Sequence, residues 1–70
     1  MYRLINPIFP NNPVDSVRRL SDGAIIPFDP ANTDYQNFKA QINDESAQLE
    51  DADGNLMSPE AAKAYVATLP

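Results

Sequence analysis

Apolar residues along this chain fall into short, differently spaced groups separated by turn chemistry. Tyr2, Leu4 and Ile5 form a first cluster, too short for a helix and suited to a strand over 1–5. Ser16–Leu20 reads as a second strand, with Val17 and Arg19 on one side. Ser21-Asp22-Gly23 supplies a turn, because Asp initiates turns and Gly tolerates positive φ, and Ala24–Phe28 returns as a third strand. Pro27 lacks a backbone donor, so it places that strand at a sheet edge or ends it there.

The spacing then changes. Tyr35, Phe38 and Ile42 recur at intervals of three and four, one apolar stripe of a helix over about 33–43. Asn32 or Thr33 can cap it, and Asp34 suits the positive end of the helix dipole. The stripe is expected to be core rather than a docking face. A second hairpin is expected over 47–57, turning at Asp51-Ala52-Asp53-Gly54-Asn55. Ser58-Pro59-Glu60 combines a capping hydroxyl, proline at the first helical position and an acid in the first turn. The helix it starts runs to about 68, with Ala62, Tyr65, Val66 and Leu69 on one face. The predicted fold class is α+β: a small antiparallel sheet from hairpin 16–28 and the N-terminal strand, carrying two short helices.

One stretch fits neither period. Asn6 to Pro13 holds three of the seven prolines, at Pro7, Pro10 and Pro13. Proline fixes φ, removes a donor and holds the preceding residue extended. The segment 7–13 is therefore read as an extended arm on a single small domain of residues 1–70. Ile8, Phe9 and Pro10 would fold back on the sheet or anchor a neighbour, a stiff arm losing little entropy on docking.

Size makes a partner attractive. A chain of about 70 residues buries only about 60% of its unfolded surface. With no Cys and no His, disulfides and zinc cannot supplement the core. The same absences remove the commonest nucleophile and the commonest proton shuttle near neutral pH. The remaining Ser, Lys and carboxylates form no catalytic spacing, so no enzyme activity, no catalytic residue and no cofactor are expected.

Charge narrows the partners. Ten acids against five bases leave a net charge of −5, and the cations form no cluster able to replace phosphate counterions. Neither nucleic acid nor an anionic membrane surface is expected as a partner. No apolar run reaches the length of about 18 residues of a membrane span, and Pro7 interrupts the N-terminal cluster before a signal-peptide core, so the protein should stay in the compartment where it is made. Arg18 and Arg19 are adjacent on a strand and so face opposite ways. One is expected to be solvated and the other to pair with Asp22, Asp29 or a carboxylate of the second half. An acidic patch of a partner is the alternative for this pair. The alternating acids at Asp51 and Asp53 invite a calcium reading, but the register fails: Leu56 stands where the turn glycine belongs and Ala62 where the closing Glu belongs. No metal is expected.

The string RRLSDGAIIPFDPANTDYQNF, residues 18–38, resembles a segment of small tail-associated virion proteins of tailed bacteriophages. It covers about a third of the chain, and no catalytic residues come with it. In many such proteins the helix continues into a Trp-containing segment ending in Gly, whereas here it runs through Gln41-Ile42-Asn43-Asp44-Glu45. The stretch DADGNLMSPEAAKAYVATLP, residues 51–70, resembles endings in cyanobacterial phages. The resemblance implies a minor structural or assembly component of the virion, associated with tail, baseplate or tail fibre, or a capsid decoration. Its partners would be other phage structural proteins, met in multiple copies on a symmetric assembly. The alternative is a free phage-encoded effector that binds and modulates a host protein.

Overall fold

The computed structural model describes residues 1–7 and 13–70. The elements follow in the order β1 (Tyr2–Leu4), β2 (Ser16–Arg19), β3 (Ala24–Pro27), α1 (Thr33–Asn43), β4 (Leu49–Glu50) and α2 (Pro59–Val66). The fold class is α+β, as the spacing predicts. The four strands form one sheet in the order β3-β2-β1-β4. β1 and β2 pair antiparallel with Leu4 opposite Val17, and β2 and β3 pair antiparallel with Val17 opposite Ile26. β3 is an edge strand that ends on Pro27, where the missing donor costs no ladder bond.

The sheet is not wholly antiparallel. β4 pairs parallel with β1, Tyr2 opposite Leu49 and Arg3 opposite Glu50, so the sheet is mixed. The reason is the crossover. β3 already runs parallel to β1, and α1 carries the chain from that edge to the other. Three inter-strand spacings amount to about 14 Å, and an eleven-residue helix spans about 16 Å. A strand delivered by such a crossover runs the same way as the strand before it. The second hairpin forms around β4: the Asp51 N–H donates to Asn55 O (2.8 Å), the Met57 N–H to Leu49 O (2.9 Å), and Glu50 bridges Leu56.

Local chemistry sets the ends of the elements. Of the two candidate caps for α1, Asn32 takes the position, its side chain accepting from the Tyr35 N–H at 3.0 Å. Ser58 caps α2 by accepting from the Ala61 N–H at 3.2 Å, with Pro59 at the first helical position. α1 ends in a reciprocal pair of bonds: the Glu45 N–H donates to Ile42 O, and the Ser46 N–H to Gln41 O. Glu45 occupies the left-handed position there, φ 63°, usually filled by glycine.

In the β2–β3 turn Gly23 has φ 75° and its N–H donates to Arg19 O at 2.7 Å. Arg19 grips both carboxylate oxygens of Asp22 (3.0 and 2.8 Å), and Asp22 Oδ1 also accepts from the Ala24 N–H at 3.1 Å. These bonds, the Arg19 pair foremost, lower the Asp22 pKa to about 2. A carboxylate depressed in the folded state stabilises it above the ordinary pKa, and that contribution is lost as pH falls through the folded value. Asp22→Asn should therefore flatten the fall of the thermal midpoint between about pH 4 and pH 2. Acid melting curves check this; an unchanged slope would show that the pair contributes nothing to folding.

The core lies between the sheet and the helices. Tyr2, Leu4, Val17, Ile26 and Leu49 come from the strands, Tyr35, Phe38 and Ile42 from α1, and Ala62 and Val66 from α2. The α1 stripe is thus core. Tyr65 and Leu69, predicted on the same face as Val66, are partly buried at its margin. Phe38 is the hub of an aromatic cluster, its ring 4.9 Å from Tyr2 and 6.1 Å from Phe28, with Tyr35 at 6.4 Å. The hydroxyls of this cluster are satisfied: Tyr2 donates to Gln41 Oε1 (2.6 Å) and Tyr35 to the Pro70 backbone oxygen (2.7 Å).

Candidate functional site

Two-residue alternation decides what the sheet shows to the outside. Tyr2 and Leu4 are buried against the helices, so Arg3 between them faces away. Val17 and Ile26 are buried likewise, and their neighbours Arg18 and Ile25 face the same way as Arg3. Strand register aligns these side chains in one row across all four strands: Ile25 opposite Arg18, Arg18 opposite Arg3, Arg3 opposite Glu50. Ile25 is 62% exposed and Met1, two residues before Arg3, is 45% exposed. Pro27 is exposed at the same edge. The outer face therefore combines apolar side chains with two arginines set opposite each other on neighbouring strands.

Arg18 and Arg19 part as strand geometry requires. Arg19 lies toward the helix side and pairs with Asp22, and at 3.4 Å with Asp34 of α1. That partnership ties the hairpin to the helix and gives Arg19 a scaffold role. Arg18 is exposed on the outer face. Ile8, Phe9 and Pro10, the expected anchors of the arm, lie outside the described residues.

Arg3 was not legible as a site residue in the sequence. Its Nε donates to Glu50 Oε1 at 2.8 Å, with the Glu50 side chain only 15% exposed. Its guanidinium also rests over the 51–54 turn: a Cβ at Gly54 would lie 3.8 Å from Nη2. The clue available beforehand was its place midway between Tyr2 and Leu4, but its alignment with Arg18 needed the register.

A concavity of about 340 Å³ opens between the end of α1, β4 and the start of α2. Ile42, Leu49, Met57 and Ala62 form its apolar wall, with Leu56, 56% exposed, on its lining. Glu45 at its rim is paired with Lys63 at 2.9 Å.

The Asp51–Asn55 turn uses its carboxylate internally. Asp51 Oδ1 accepts from the Asp53 and Asn55 N–H groups, both at 2.9 Å, and these bonds, Asn55 first, hold its pKa below the ordinary value. A cation would have to displace these donors without a closing Glu to help. Titration calorimetry should show no micromolar calcium site; such a site, abolished by Asp53→Ala, would overturn this reading.

Among the described residues no helix is long and apolar enough to cross a membrane. Compared with known proteins, the chain matches no family model, no curated protein and no solved structure.

Proposed function

We propose that this chain is a non-catalytic docking protein, a minor structural or assembly component of a tailed-phage particle, associated with tail, baseplate or tail fibre or decorating the capsid. The observation that carries the docking reading is the outer sheet face. Both helices pack on one side of the sheet, while the other exposes Ile25, Pro27 and Met1 around two arginines. A chain this small has little apolar surface to spare, so leaving large side chains outside its core favours a partner. The phage setting rests on the resemblance of residues 18–38. Repetition on a symmetric assembly would turn a modest single-site affinity into firm attachment.

Mass spectrometry of particles purified from the encoding phage tests this. The chain should be present in multiple copies per particle. Its absence from particles, with abundance in the cleared lysate, would overturn the virion reading in favour of a free effector acting on a host protein.

A further inference from the structure

The chain has five cationic side chains against ten acidic ones, and among the described residues four of the five have a partner. Arg3 is bonded to Glu50, Arg19 to Asp22 and Asp34, and Lys63 to Glu45. Lys39 donates to the Pro70 backbone oxygen and lies 4.7 Å from the centre of the Tyr35 ring. Arg18 has no such partner among the described residues, although carboxylates outnumber cations in the chain. It stands directly opposite Arg3. Like charges in that position weaken a sheet, so folding alone gives no reason for the arrangement.

Arg3 is held with its useful end free. Its Nε is committed to Glu50, and its guanidinium lies over the open face of Gly54. The two terminal nitrogens have no acceptor among the described residues. A guanidinium fixed in this way is prepared for a further carboxylate, because little freedom remains to be lost and its fork matches carboxylate oxygens.

We infer that Arg3 and Arg18 form a carboxylate-binding site for an acidic segment of a partner protein, with Ile25 and Met1 receiving apolar side chains beside the acids. The inference rests on the docking reading above and names the chemistry of the partner. The charge of the chain favours protein over nucleic acid, since two arginines on a −5 chain neutralise few phosphates. A second copy docked through the same face would gather four arginines in one interface, because a two-fold interface pairs a patch with its own copy.

The test is an NMR titration of the whole chain with an acetylated, amidated peptide alternating leucine and glutamate. Saturable shifts are expected at the amides of Arg3, Arg18 and Ile25. Arg3→Gln and Arg18→Thr should each weaken binding about tenfold, the scale for losing a charged hydrogen-bond partner. Arg18→Thr should at the same time leave the thermal midpoint unchanged or raised, because it relieves repulsion with Arg3. A lowered midpoint would make Arg18 part of the scaffold and overturn the proposal. So would absence of shifts on this face, shifts insensitive to both substitutions, or equal shifts with a single-stranded oligonucleotide. Shifts centred instead on Leu56 and Met57 would keep the docking reading and overturn this site.

Discussion

Phe38→Ala is expected to leave the chain largely unfolded at room temperature. The Phe38 side chain is completely buried and touches the rings of Tyr2, Phe28 and Tyr35 from the centre of the aromatic cluster. Truncating a buried Phe costs about 3–5 kcal/mol through lost transfer energy and the cavity left behind. A chain of this size holds only about 3–5 kcal/mol in its core, so one truncation consumes most of the total. Edge-to-face packing on Tyr2 adds to the loss, because ring pairs contribute about 0.5–1.5 kcal/mol beyond area. Far-UV circular dichroism and urea titration check the result. A loss under about 1 kcal/mol would show that the core closes without this ring.

Gly23→Val is the second large effect, and its origin is different. No atom lies within 4 Å of the position a Cβ would take, so the side chain meets no obstacle. The whole cost is backbone: φ 75° is the left-handed region, and a β-branched residue is strained there. The penalty is about 1–2 kcal/mol for an L-residue, more for a branched one. For a domain of this length that lowers the melting midpoint by about 10 °C. Gly23→Asn, which tolerates this conformation, should lose much less. If both variants melt with the parent, the β2–β3 turn is not the conformational constraint inferred from its glycine.

The site was only partly legible in advance. That Arg18 and Arg19 would separate followed from the alternation of a strand, and Asp22 was one of three partners the sequence left open for the paired one, beside Asp29 and a carboxylate of the second half. The share of Asp34 in that pair, and the placing of Arg3 against Arg18, did not follow. Asp34 reaches Arg19 only because α1 packs across the hairpin, and Arg3 meets Arg18 only in one register of β1 on β2. A shift by one residue would turn Tyr2 and Leu4 outward, so burial of these two side chains is what selects the register. The apolar cleft was hidden for a related reason. Its walls come from α1, β4, α2 and the segment between them, brought together by packing.

What the sequence by itself determined are the features decided within a few residues: the cap at Ser58, a cap for α1 at Asn32 or Thr33, the positive φ at Gly23, a strand at Pro27 that lies at an edge or ends there, and the Tyr35, Phe38, Ile42 stripe. Each depends on one donor, one ring or one helical period, so neighbours in the chain suffice to specify it. The tertiary structure alone decided the parallel pairing of β4 with β1, the mixed sheet that results, and the row of Ile25, Arg18, Arg3 and Glu50 on its outer face. Those depend on a helical crossover and on which side chains win burial, and both are settled only when segments distant in sequence compete for one small core.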